Sequence, residues 1–236
     1  MSAPRVAVVV KYYPPLPRIS GIVTFVSLFA RHLAEKADVH VVTMRPSRRE
    51  TSSLTIDGCT VHRVDAPFPI TAGRAVRRLH PDATLVVSGV HDLRAAVPYF
   101  ALFDAAAGRA PKIFFQATTG DTAPSAALSR VLADYRAVLC ASDSITERFL
   151  PRFPNVATLH PGVNVAGLSE VRGEQRSSAF RVVFASHINR IKGADIALDI
   201  IVPFLREFPD ADAVVAGFGP LDESLRAEFG REPRLQ

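Results

Sequence analysis

The sequence predicts an α/β fold with parallel sheets, in two units that both open as β-α-β segments. Three observations lead there. Val6 to Val10 is an unbroken, β-branched apolar run, the pattern of a strand covered on both faces. Ile22, Phe25, Val26, Phe29 and Leu33 share one face of a helix, and Val39 to Thr43 follows as a second strand. Arg181 to Ser186, a helix over Ala194 to Phe208 and Ala213 to Ala216 repeat this order late in the chain.

Between these two openings the pattern continues strand by strand. Thr60 to Val64, Thr84 to Ser88, Lys112 to Gln116, Ala137 to Ala141 and Val156 to Leu159 are short apolar runs, giving seven strands for one parallel sheet. Helical stretches are predicted around residues 92 to 106 and 123 to 135. Asp57-Gly58 is a tight-turn signal and predicts a small hairpin before the third strand. Ser144 with Glu147 three residues on reads as a capping box for the helix after Ala141. Residues 166–178 are rich in Gly, Ser, Glu and Arg and read as a linker between a first domain, 1–165, and a second, 179–236.

In the second domain Ile196, Ile200, Phe204 and Phe208 are in helical register, Pro203 is expected to kink that helix, and Leu221 to Phe229 reads as one more helical stretch. Two strands alone make a poorly covered sheet, so the second unit is expected to be incomplete.

Composition narrows the function. The chain has 236 residues, 48% hydrophobic and 22% charged, which is ordinary for a globular protein and excludes wholesale disorder. No apolar run approaches the roughly 20 residues of a spanning helix. The start, Met1-Ser2-Ala3-Pro4-Arg5, leads straight into a strand, so a cytoplasmic location is expected. Cys59 and Cys140 have no metal-ligand spacing, and no metal site or disulfide framework is expected; Cys140 reads as core. The net charge of +5 comes from scattered basic residues without a recognition module, so no nucleic-acid partner is expected.

In open parallel sheets ligands bind beyond the carboxyl ends of the strands, which points to particular loops. Lys11 to Gly21 holds Pro14, Pro15 and Pro17, and Ser20-Gly21 leads into a helix whose free N–H groups suit an anion. Ser186 to Gly193 is the most informative segment, with His187, Arg190 and Lys192 before a helix that starts near Gly193. Cations and a helix N-terminus at that place would stabilise the charge that grows on a departing diphosphate. In Ala216 to Pro220, Gly217 and Gly219 would let backbone approach a ligand closely.

Neither a G-x-G-x-x-G fingerprint nor a G-x-x-x-x-G-K-[ST] phosphate loop is present, which disfavours a nicotinamide enzyme. His91, Asp92, Thr118 and Asp121 sit after first-domain strands and are acceptor-side candidates, and spacing alone builds no catalytic triad.

The order of these segments resembles the family 4 glycosyltransferases, retaining enzymes of the GT-B fold with two Rossmann-like domains. RVAVVVKYYPPLPRISGIVTFVSLFARHLAEKADVHVVT is similar to the family's strand, Pro-rich glycine loop, helix and second strand. VLCASDSITERF and LHPGVN resemble the end of its first domain, and FRVVFASHINRIKGADIAL with VVAGFGPLDESL resembles the start of its donor domain.

The resemblance implies hexosyl transfer with retention from a nucleotide-diphosphate sugar, used as a substrate with no cofactor, to a sugar, lipid or small-molecule acceptor. It matches Lys192 to the family's diphosphate-binding lysine. His187 stands where the family has an arginine, with Arg190 three residues on, and Thr118 stands where it often has a histidine, so the catalytic base is not assigned. The family's acidic motif for donor sugar and ribose would fall beyond Gln236.

The alternatives are a truncated, non-catalytic acceptor- or partner-binding module, or one half of a split enzyme whose partner chain completes the donor domain. Because some acceptors of the family are lipids, Arg74, Arg77 and Arg78 are candidates for peripheral contact with an anionic membrane.

Overall fold

The computed structural model describes residues 3–15, 20–118, 123–165 and 180–235. They form two compact units, described one at a time below. The segment expected to be a linker lies outside the described residues, as do Pro17 and Asp121.

The first unit is a single sheet of eight strands: β1 (Arg5–Val9), β2 (Asp38–Met44), β3 (Ser53–Ile56), β4 (Cys59–Val64), β5 (Ala83–Ser88), β6 (Lys112–Gln116), β7 (Ala137–Cys140) and β8 (Val156–Thr158). Their order is β3-β4-β2-β1-β5-β6-β7-β8, and every pairing except β3 with β4 is parallel. The antiparallel pair is the expected hairpin. Its turn places Asp57 and Gly58 at φ 47° and 79°, the left-handed pair that a two-residue turn between twisted strands requires. The chain builds outward from β1 on one side and from β5 on the other, so the switch point lies between these two strands.

Helices cover both faces. α1 (Gly21–Ala34) packs Phe25, Val26 and Ala30 on one side, where Phe25 stacks on Phe115 with centroids 5.0 Å apart. α2 (Phe68–Leu79), α3 (Val97–Ala107), α4 (Ala126–Val131) and α5 (Asp143–Phe149) enclose the other core, where Phe100 meets Phe114 edge-on at 5.2 Å. Phe114 and Phe115 are adjacent yet serve opposite cores, because successive strand residues point to opposite faces. Cys140 is core, as expected.

Four expectations need correction here. α2 had no counterpart in the sequence reading: Ala66-Pro67-Phe68-Pro69 looks like a loop, but proline is tolerated in a first helical turn. α3 starts at Val97, not residue 92, because Asp92 Oδ1 accepts from the Arg94 and Ala95 amides at 2.9 and 3.2 Å and holds a separate turn. α4 is limited to Ala126–Val131, capped by Ser125, whose Oγ accepts from Leu128 N–H at 3.1 Å. Ser142 stands at the N-cap position of α5 without a side-chain cap hydrogen bond, and Ser144 lies inside the helix, so the capping box is not formed; Thr158 donates to the Asp143 carboxylate there at 2.7 Å.

The second unit pairs β9 (Phe180–Ala185) with β10 (Ala211–Ala216) in parallel, with α6 (Ala194–Glu207) and α7 (Asp222–Phe229) packed against them. α6 passes through Pro203 as one 14-residue helix. Its buried residues are Ala194, Leu198, Ile201, Val202 and Leu205. The apolar register picked from the sequence is a different face: Ile196 and Ile200 are 62% and 64% exposed. Both units are α/β, the first with a large, mostly parallel sheet and the second with a small parallel one. Among the described residues no helix is long and apolar enough to cross a membrane.

Candidate functional site

In the first unit, candidate residues gather at the carboxyl ends of β1, β5 and β6. Ser20 caps α1, its Oγ accepting from Val23 N–H at 3.4 Å, so the helix satisfies part of its own N-terminus. Among the described residues nothing lies within 4 Å of a Cβ placed at Gly21. The loop after β5 comes close: a Cβ on Gly89 would stand 2.4 Å from Ile22 Cδ1.

Gln116 ties that loop to the next one. Fully buried at the end of β6, it donates from Nε2 to Val90 O at 3.0 Å and to Thr118 O and Oγ1 at 2.9 and 3.1 Å. Thr118 Oγ1 in turn donates to Val90 O at 3.2 Å. Ser20, Gly21, His91 and Thr118 therefore border one region at the switch point. His91 is exposed, whereas Asp92 is spent on its turn. In the sequence Gln116 heads the polar run at the end of this strand. It is a polar amide that ends an otherwise apolar run, Ile113-Phe114-Phe115, one residue before the loop begins.

Two other polar groups near these strands are inert. Burial pushes the Tyr13 hydroxyl and the Cys59 thiol above their ordinary ranges, so both stay protonated at neutral pH. Among the described residues no cluster of His, Cys, Asp and Glu could hold a metal ion.

In the second unit the chain leaves β9 at Ala185 and makes two turns before α6. Arg190–Lys192 is one turn of 3-10 helix, capped by Asn189, whose Oδ1 accepts from Lys192 N–H at 2.9 Å. Gly193 follows at φ +69°, a left-handed position that favours glycine, and opens α6 without any side-chain cap. Ala194 N–H donates to Asn189 O at 3.2 Å, and no side-chain oxygen caps the rest of the first turn of α6, an arrangement that suits an anion.

Lys192 is exposed and has no ion-pair partner among the described residues. Arg190 is also exposed and lies 3.8 Å from the Asp195 carboxylate in the first turn of α6. Arg190 therefore has a loose ion-pair partner, whereas Lys192 has none among the described residues. His187 is exposed, with its ring edge-on to Phe218 at 5.2 Å and its Nδ1 2.8 Å from Asn189 Nδ2.

The glycines of the following loop also have a packing role. A Cβ on Gly217 would stand 1.9 Å from Ser186 O, and one on Gly219 would stand 2.1 Å from Ile188 O. They let the loop after β10 lie against the loop after β9, where Ile188 N–H donates to Phe218 O at 2.9 Å and Leu221 N–H to Ile188 O at 3.2 Å. Their role is to fix the backbone that carries His187.

No protein-family model and no curated protein sequence matches the chain. Solved structures do share its fold. Sucrose-phosphate synthase from Thermosynechococcus elongatus aligns with a TM-score of 0.68 at 12% identity, covering 99% of this chain and 69% of that one. A trehalose-6-phosphate protein from E. coli, bound with UDP-2-fluoro glucose, gives 0.61 at 10% identity over 97% of this chain and 69% of that one. S. aureus MnaA, solved with UDP, gives 0.57 at 13% identity over 99% of this chain and 68% of that one. At these identities the shared property is the fold.

Proposed function

We propose that this chain belongs to a glycosyltransferase that moves a hexosyl group, with retention, from a nucleotide-diphosphate sugar to a sugar, lipid or small-molecule acceptor held by the first unit. The observation that carries the reading is the loop Ser186 to Gly193. It places the unpaired Lys192 ammonium and the His187 ring just ahead of the uncapped N-terminus of α6. As the glycosidic bond breaks, negative charge grows on the leaving diphosphate, and a fixed cation with free amides lowers that barrier. Two fold neighbours that hold UDP or a UDP-sugar analogue support it. The first unit would contribute Thr118, His91 and the amides at Gly21 to an acceptor.

The test is calorimetric titration with UDP, GDP and ADP of the wild-type chain and of Lys192→Ala. Loss of one charge-assisted contact should weaken nucleotide binding about ten- to a hundredfold. No binding of any of the three by a demonstrably folded chain would overturn the reading.

A second reading rests on apolar side chains that the second unit leaves uncovered: Val183 on β9 and Ile196 and Ile200 on α6 are 58%, 62% and 64% exposed. Here the unit works only once further polypeptide, such as a partner chain, covers it, and the chain by itself is a binding module. Nucleotide binding without sugar transfer would favour this alternative. Arg74, Arg77 and Arg78, all exposed on α2 with no acidic residue in that helix, would meet an anionic membrane if the acceptor is a lipid.

A further inference from the structure

We propose that Asn189 is a positioning residue that holds His187 in the neutral form protonated on Nε2, so the loop offers a diphosphate a fixed N–H donor beside the Lys192 cation. What His187 meets rests on the diphosphate reading above; the protonation pattern does not.

Asn189 has one side-chain oxygen, and the main-chain N–H of Lys192 claims it at 2.9 Å. The atom left to face His187 Nδ1, at 2.8 Å, is therefore Nδ2, which only donates. A donor needs a lone pair opposite it, so Nδ1 is unprotonated and the ring proton sits on Nε2. A proton on Nδ1 would set two donors against each other. The ring plane is fixed as well, by Phe218 on one side and by the loop contacts that Gly217 and Gly219 allow.

One amide thus does two things. Its oxygen holds the 3-10 turn that carries Lys192, and its nitrogen chooses the tautomer of His187. The loop then divides its work between two side chains: Lys192 brings charge, and His187 brings a directed, uncharged hydrogen bond. An arginine at position 187 would bring both and would need no such support, whereas a histidine becomes a dependable donor only when its other nitrogen is occupied. Arg190, turned to Asp195, does not replace that function.

The experiment is a long-range proton–nitrogen correlation spectrum of the 15N-labelled full chain at neutral pH, with His187 identified by its disappearance in His187→Gln. Wild type should show a protonated Nε2 and an unprotonated Nδ1 without any nucleotide. Asn189→Asp keeps an oxygen for Lys192 N–H but turns an acceptor toward His187, so the proton should move to Nδ1. Asn189→Ser keeps a capping oxygen and loses the reach to the ring.

Adding UDP should shift the His187 Nε2 resonance in wild type, and Asn189→Ser should bind UDP about tenfold more weakly, the scale of one lost hydrogen bond to a charged group. A protonated Nδ1 in wild type, or an unchanged pattern in Asn189→Asp, overturns the lock. UDP that saturates the chain without moving Nε2 overturns the donor role. A chain that shows the lock but binds no UDP overturns the diphosphate reading, and the donor role falls with it.

Discussion

Replacing Gly219 by alanine should strongly destabilise the second unit. The added Cβ would sit 2.1 Å from Ile188 O, 2.6 Å from its carbonyl carbon and 2.8 Å from its nitrogen, all main-chain atoms. Ordinary contact is about 3.5 Å, so the loops must part by roughly 1 Å or more. Parting them breaks the Ile188-to-Phe218 and Leu221-to-Ile188 hydrogen bonds and pulls the buried Ile188 away from Leu198 and Leu225. Overpacking costs about 1–3 kcal/mol and each hydrogen bond about 1, for a total of about 3–5 kcal/mol.

Gly193→Ala is the control. Among the described residues nothing lies within 4 Å of its Cβ, and only the left-handed backbone at φ +69° is penalised, by about 1–2 kcal/mol. The chain has no tryptophan, and its four tyrosines all lie in the first unit, so tyrosine fluorescence is blind to this change. Amide hydrogen exchange at Leu198, Leu205 and Ala213 is the suitable assay. Protection in Gly219→Ala equal to wild type, or greater than in Gly193→Ala, would refute the packing account of this glycine.

The first unit can be read by its tyrosines. Phe114→Ala removes a ring that meets Phe100, Tyr135 and Phe149, and should lower stability by about 3–5 kcal/mol in urea titrations followed by tyrosine fluorescence, with hydrogen exchange in the second unit unchanged. His62 is held below the ordinary imidazole value of 6.5, first by burial and then by His40, whose Nδ1 lies 2.9 Å from its Nε2. Folding therefore favours neutral His62: its contribution is intact above 6.5 and is lost as the pH falls below that value through the folded one. Urea midpoints of wild type should drop on acidification in that window while those of His62→Gln stay flatter; parallel curves would remove His62 as the cause.

How much of this was legible in the sequence depends on whether a signal is local. The seven parallel strands and the Asp57-Gly58 hairpin could be read because each is a short run whose own residues dictate it. α2 could not, since Pro67 and Pro69 look like breakers until their place in a first turn is known, and its amphipathic pattern is carried by Phe68, Ala72, Gly73 and Val76, half of them small. The helical face of α6 was misread for a related reason. Both of its faces are apolar, and periodicity alone cannot say which one a two-stranded sheet will cover.

The candidate site follows the same division. The place of Lys192 and Gly193 between a strand and a helix was legible, because it follows from a local pattern. The purpose of Gly217 and Gly219 was not, because it depends on Ser186 and Ile188, some thirty residues earlier in the chain. Asn189 lies between these cases: its capping role is local, but its hold on His187 appears only when the Lys192 amide is seen to take the one available oxygen. A substitution at position 187 is thus best understood together with position 189. A histidine without the asparagine would leave its tautomer unfixed, and an asparagine without the histidine would only cap a turn. On the proposed reading, the pair, more than either residue, would make this loop a directed hydrogen-bond donor to a diphosphate, beside the charge of Lys192.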